Sequence, residues 1–402
     1  MRSVIDEDAT IQFFSNPWFE RRWVFQEIVL AKYSTCYRGT VCVPLEQVLR
    51  SAAWIYRSYL TFARLGAIEG IKNAAYMLTF VDHKQLPVEY SFSYLMDCLP
   101  GLRVSDPKDC IYALVALYQK LKQQDRPPAE LAPSYGSSIA SIFTKAATYC
   151  IMEAGDLDIL HFSGQQLEHY SLPSWVPQFD RSRRNDATLL YEFAADTGLS
   201  NVGYTIEGTQ LRTNGYLLSG VKRLTQELFH DTFTDPEAMA SAVKDMTAVV
   251  EATLHQPPAN VLGITLCGGR RFDGSLADEK AAATTYHKFE QTVMHGNLPP
   301  WPSSWEYDPL SPDGLESEYL HEVLSCSGGR KLFGTSEHVG IGPSTMELGD
   351  VLAVISGCRW PVILRPHSDT WQFVVPSYVY GIMFGEAITK CQGTAMESFV
   401  LS

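Results

Sequence analysis

Apolar residues recur at helical spacing from the start of the chain. Within 18–39, read as one helix running straight into a strand, Trp18, Phe19, Trp23, Val24, Phe25, Ile28 and Leu30 supply the helical spacing, with Asn16 as the cap and Pro17 in the first turn. "STCYRGTVCV" then has strand character, and "PLEQVLRSAAWIYRSYLTFARL" (44–65) returns to helical periodicity. In "SDPKDCIYALVALYQKL" (105–121) Asp106 is placed to cap a helix, and Asp109 lies where a carboxylate favours the free amides. Another helix, "GSSIASIFTKAATYCIMEAG", leads to "LDILHF" and to the Pro-bounded "LPSWVPQFD", whose Trp175 is expected to plug a core. Beyond residue 200 "TQLRTNGYLLSGVKRL" alternates as a strand does and carries a mid-strand Gly215, while 235–257 and 277–295 look helical. The stretch 296–314 is dense in Pro, Gly and Ser and reads as a loop. The last hundred residues break into short strands with turn residues between them, which suggests a small antiparallel sheet or partly closed barrel over about 328–390. The expected class is α+β, divided into 1–45, a mainly helical 46–200, and a mixed 201–402 ending in the β-rich region.

Composition narrows the functions open to such a chain. At 402 residues, 46% apolar and 12% aromatic, it has ample material for real cores. A formal charge of −13 argues against a bulk grip on nucleic acid or anionic lipid, because nothing neutralises phosphates. The one basic cluster, "DRSRRND" (180–186), is flanked by acids and reads as a solvated loop. Nine cysteines stand singly with no Cys-x-x-Cys, which fits buried thiols in a reducing compartment better than disulfides or zinc. The first ten residues lack the apolar core of a signal peptide, and no stretch approaches eighteen apolar residues, so the expected location is the cytoplasm.

Motifs that carry chemistry are mostly absent or broken. "HEVLS" (321–325) has Ser325 where a zinc-protease helix needs its second His, and "GIGPST" (340–345) has Thr345 where a dinucleotide fingerprint needs a third glycine. Neither a phosphate-binding Gly-x-x-x-x-Gly-Lys nor a Gly-x-Ser-x-Gly elbow occurs. The histidines show no metal-ligand spacing, and no metal site is expected. Arg365, Glu386 and His338 remain as candidates for a ligand contact or, for the two charged residues, a buried ion pair.

Four segments, "FFSNPWFERRWVFQEIVLA", "VSDPKDCIYALVALY", "LPSWVPQFD" and "HVGIGPSTMELGDVLAVISGCRWPVILRP" with "YVYGIMFGEA" after it, resemble in this order the fungal heterokaryon-incompatibility (HET) domain family. The first is similar to the end of the HET domain, whose earlier strands and acidic helix have no counterpart downstream of Met1. The resemblance implies a truncated, TIR-like α/β remnant in 1–45, followed by the region that commonly trails it. It further implies a role in non-self recognition and programmed cell death, exerted through protein contacts with a HET-domain or NLR-type partner or by self-association. Because TIR domains that cleave NAD use a Trp-x-x-x-Glu helix, Trp23 and Glu27 stand where the catalytic glutamate would be. Cofactor-free action is the leading expectation, and NAD cleavage completed by a second chain, or a small-molecule enzyme of secondary metabolism, is the alternative. With the central strands missing, the apolar face of Trp18, Phe19, Trp23 and Phe25 needs a cover, either the helical region that follows or a partner for which these four residues form the interaction surface.

Overall fold

The computed structural model describes residues 6–57, 68–82, 90–97, 102–164, 170–180, 192–199, 203–271, 275–299 and 312–402. Two compact units divide the chain, one made of 1–153 with 179–184 and 302–307, the other of 154–178, 185–301 and 308–402. Neither 45 nor 200, the divisions expected from sequence, separates them. Residues 1–45 join the helices that follow because their apolar face packs on those helices.

The N-terminal unit opens with α1 (Glu7–Phe14), capped by the Asp6 carboxylate on the Ala9 amide at 3.0 Å. The single helix expected after Asn16 is two pieces, a 3-10 turn at Pro17–Glu20, capped by Asn16, and α2 (Arg22–Leu30). Arg21 between them is extended, since the peptide groups at the break pair with a distant segment: Arg22 N–H donates to Arg103 O at 3.0 Å, and Arg103 N–H to Glu20 O at 2.5 Å. Tertiary pairing here outweighs local helical propensity. The predicted strand that follows is a hairpin, β1 (Thr35–Arg38) against β2 (Val41–Pro44), turned by Gly39 at φ +59°. It is the only sheet among the described residues of this unit and it is antiparallel, so the parallel strands of a TIR-like remnant are not among them.

Among the described residues this unit further holds α3 (Leu45–Arg57), α4 (Glu69–Asp82), α5 (Phe92–Asp97), α6 (Asp109–Leu121) and α7 (Ile139–Ala154). α2 lies on α4 and α6, with Phe25 edge-on to Phe80 at 4.9 Å. A buried polar knot ties α5, α6 and α7. Tyr118 Oη donates to Glu153 Oε1 at 2.6 Å and meets Tyr149 Oη at 2.5 Å, Lys122 Nζ lies 3.1 Å from the same carboxylate, and its other oxygen accepts the Phe92 amide at 2.7 Å. Burial and the glutamate push the Tyr118 hydroxyl far above its ordinary range.

In the second unit, β3 (Thr205–Glu207), β4 (Gln210–Gly220), β8 (Val351–Ile355), β9 (Val362–His367), β10 (Thr370–Pro376) and β12 (Glu397–Leu401) form one sheet in the order β12-β10-β9-β8-β4-β3. Because β12 also pairs with β4, five of these strands close into a barrel, with bulges in the β4/β8 and β9/β10 ladders where the sheet bends. The small antiparallel region expected over 328–390 is therefore larger and discontinuous: β4 comes from far upstream and β12 from the last residues. A second sheet runs β11 (Tyr378–Val379), β7 (Val339–Pro343), β6 (Arg330–Gly334), β5 (Arg223–Leu224). Leu352, Val354, Ile363, Val374, Phe333 and Val221 share one core. Trp175 is fully buried, as its flanking prolines suggest, and its indole donates to Thr209 O at 2.8 Å. Helices α8 (Pro236–Glu251), α9 (Pro258–Thr265), α10 (Glu279–Met294), α11 (Pro312–Ser327) and α12 (Glu386–Cys391) make up the rest. No described helix is long and apolar enough to cross a membrane.

Candidate functional site

The structure disperses the residues that sequence reasoning singled out. Glu27 is exposed on α2, and Trp23 four residues before it donates its indole N–H to Asp109 Oδ2 at 2.9 Å. Asp109 also accepts Tyr135 Oη on its other oxygen at 2.6 Å, so this residue, expected to favour a helix end, clamps α2 and the segment before α7 onto α6. Asp106, expected to cap α6, instead accepts the Lys108 amide at 3.0 Å in the turn ahead of it, and the N-cap position falls on Lys108 with no side-chain hydrogen bond. The expected interaction surface is largely internal: Phe19 and Phe25 are 3% and 0% exposed, and Trp18 and Trp23 are half-buried. Their lid is the chain's own α4 and α6 rather than an external partner.

Arg365 makes the ion pair that was one of its two expected roles. Its Nε donates to Asp350 Oδ1 at 2.7 Å and Nη2 to Oδ2 at 3.0 Å, while Nη2 reaches Thr345 O at 2.8 Å and Nη1 lies 3.1 Å from Glu347. Asp350, which in sequence reads as no more than a turn residue, is 1% exposed and also accepts the Glu347 amide at 2.8 Å. With every face of the guanidinium occupied, Arg365 fixes the 345–350 loop against β9. Glu386 is exposed at the start of α12, where its carboxylate accepts the Phe384 amide at 2.7 Å. His338 is buried in the β6–β7 turn, its Nδ1 unpartnered, and burial together with Lys390 lowers its pKa. The three do not converge on a shared cavity.

Sequence reasoning missed a constellation at the β8–β9 turn. Arg359 Nε donates to Asp158 Oδ2 at 2.5 Å, joining a 3-10 turn at Asp158–Phe162 to residues two hundred positions later. Asp196 accepts the Gly357 amide at 3.1 Å, and Asp156 accepts the Asp158 amide at 3.0 Å. Desolvation, helped by the nearby Asp158 charge, holds both Asp156 and Asp196 above the usual carboxylate range, and Arg359 opposes this in part. Such carboxyls suit proton transfer. None of the described cavities reaches them, however, and the group acts as a tie between segments. No sequence signal links Asp158 to Arg359, because the separation is set by the barrel alone. Among the described residues no group of three or more His, Cys, Asp or Glu is placed to hold a metal. Burial pushes the Cys110 thiol up to about 11 and Cys267 up to about 12, so both remain protonated at neutral pH.

Accessible apolar surface includes Phe229, Leu348 and Phe384 in the second unit and, in the N-terminal unit, the surroundings of the hairpin. Both faces of β1–β2 are open: Tyr37 is 72% and Val41 60% exposed, and neighbouring Tyr33 is 85% exposed. Trp54 on α3 is likewise exposed. Beside them lie two open cavities, one of about 640 Å³ between α1 and α3, the other of about 490 Å³ between α1 and β1. Exposed aromatic residues gathered in one region mark contact surfaces more often than single exposed residues do.

No curated protein and no solved structure matches this chain. Residues 310–400, which carry every barrel strand except β4, match the family model of the Het-6 beta-barrel domain, a family related to heterokaryon incompatibility.

Proposed function

We propose that this chain is a heterokaryon-incompatibility-type protein of the fungal cytoplasm, acting in non-self recognition and programmed cell death through protein contacts rather than catalytic turnover. A HET-domain or NLR-type protein, or a second copy of the chain, is the partner class. The barrel match at 310–400 supports the family reading. The observation that carries the mode of action is the hairpin, which leaves Tyr33, Tyr37 and Val41 in solvent, while Glu27 stands exposed and none of the described cavities includes it. A solvated two-stranded ribbon contributes little to its own fold, and large apolar side chains there are free to be covered by a partner.

Regulated expression in fungal cells tests this. Wild-type chain arrests growth, a Tyr37→Glu/Val41→Glu variant of equal abundance does not, and Glu27→Gln arrests growth as wild type does. Loss of the phenotype in Glu27→Gln with retention in the hairpin variant overturns the reading in favour of NAD-type turnover.

A further inference from the structure

The 490 Å³ cavity has a chemistry of its own, which goes beyond the reading above and does not depend on it. One wall is aromatic: Phe13 of α1 and the half-buried Trp18, each packed on Phe19 at 5.5 and 5.0 Å between ring centroids. The opposite wall is β1, ending in Arg38. Arg38 lies over the Phe13 ring at 5.6 Å and donates from Nη2 to Gln12 Oε1 at 3.2 Å. Both partners are neutral. Among the described residues no carboxylate pairs with Arg38 and none lines this cavity, in a chain that carries 45 acidic against 32 basic residues.

The remaining polar groups are also donors toward an incoming ligand. Gln12 uses its carbonyl oxygen on Arg38, and Asn16 uses its own on the Trp18 amide at 2.9 Å, so each keeps an NH2 group. Thr35 adds a hydroxyl. The neighbouring 640 Å³ cavity makes the contrast plain, because its arginine, Arg50, is paired with Glu46 at 2.9 Å and Asp6 lies in its lining.

We propose that the cavity between α1 and β1 binds a small, flat aromatic anion, its ring against Trp18 and Phe13 and its carboxylate on Arg38 and the Gln12 and Asn16 amides. A volume of 490 Å³ lies within the range of small-molecule pockets, and aromatic walls with one charged anchor are the usual composition of such sites. A guanidinium without a counter-ion selects for the anion, and the ring faces select for a planar partner.

Titration of the full chain with 1-naphthoate, followed by calorimetry and ligand-observed NMR, tests it, with 1-naphthamide as the neutral isostere. Naphthoate binds, naphthamide binds about tenfold more weakly, and both Arg38→Gln and Trp18→Leu weaken naphthoate by about fivefold to tenfold. Arg50→Gln, at the neighbouring cavity, leaves the affinity unchanged. Equal affinity for acid and amide, unchanged binding in Arg38→Gln or Trp18→Leu, or no binding of naphthoate at millimolar concentration overturns the proposal. Unfolding midpoints of the variants separate loss of the site from loss of the fold.

Discussion

In the barrel each strand has a neighbour on both sides, since β12 returns to β4, whereas the ribbon Thr35–Pro44 has a single pairing and solvent on both faces. The two regions use similar β-forming residues for opposite ends. Closure removes open edges and lets Leu352, Val354 and Ile363 face a dry core, so a change there is felt by the whole unit. The ribbon leaves Tyr37 and Val41 without a core to support, so their replacement is free to affect contacts without affecting stability.

The contrast is broken most easily at Gly215 of β4. A Cβ there would run into the carbonyl oxygen of Val354 and would come within 2.8 Å of Ile355 Cα, both backbone atoms of the neighbouring strand. Gly215→Val is expected to destabilise the second unit by about 3 kcal/mol, at the upper end for overpacking, in urea unfolding followed by tryptophan fluorescence. A loss under about 1 kcal/mol would show the barrel to be as tolerant as the ribbon.

Next in size is Asp350→Ala, which strands a largely buried Arg365 without its bidentate partner. The expected loss is about 2 kcal/mol, less than for a fully interior pair because the Arg365 side chain is 24% exposed. Arg365→Met in the same background should restore part of it, as measured by the unfolding midpoint.

A smaller effect has a sign of its own. Asp156 and Asp196 have folded pKa values above their unfolded ones, so the folded state binds their protons more tightly. Their favourable contribution is complete below the usual carboxylate pKa and is lost as pH rises through the raised values. Asp196→Asn keeps an acceptor for the Gly357 amide and removes the charge. It is expected to raise stability at pH 7 and to flatten the pH dependence above the usual carboxylate range. Denaturation midpoints between pH 3 and 7 check both.

The smallest effect sharpens the comparison from the other side. Tyr37→Ser with Val41→Ser should change stability by no more than about 0.5 kcal/mol, because both side chains are mostly in solvent. A larger loss in thermal unfolding would assign the ribbon a structural duty.

Local grammar carried several elements directly. The Asn16–Pro17 start, the apolar face of α6, the strand at Gly215 and the core position of Trp175 all follow from side-chain chemistry within a few residues of each site. Arg365 was legible as an ion-pair candidate, because a charge amid apolar strand residues needs a partner, although Asp350 was not legible as that partner. The break at Arg21 escaped the periodicity argument, since its cause is the backbone of Arg103, eighty residues away. Coverage of Phe19 and Phe25 by the helices that follow was one of two open alternatives, and the choice escaped for the same reason: an amphipathic pattern reports that a face must be covered and says nothing of which segment covers it. Sequence alone thus determined the type and approximate place of many helices and strands, which residues are apolar enough to be interior, and the absence of intact phosphate-loop, zinc-protease and hydrolase motifs, because these depend on neighbours along the chain. Barrel closure by β12 on β4, the Asp158–Arg359 tie and the placing of Arg38 over Phe13 with no carboxylate partner among the described residues were decided by tertiary structure, because each depends on distances between segments that no local pattern encodes.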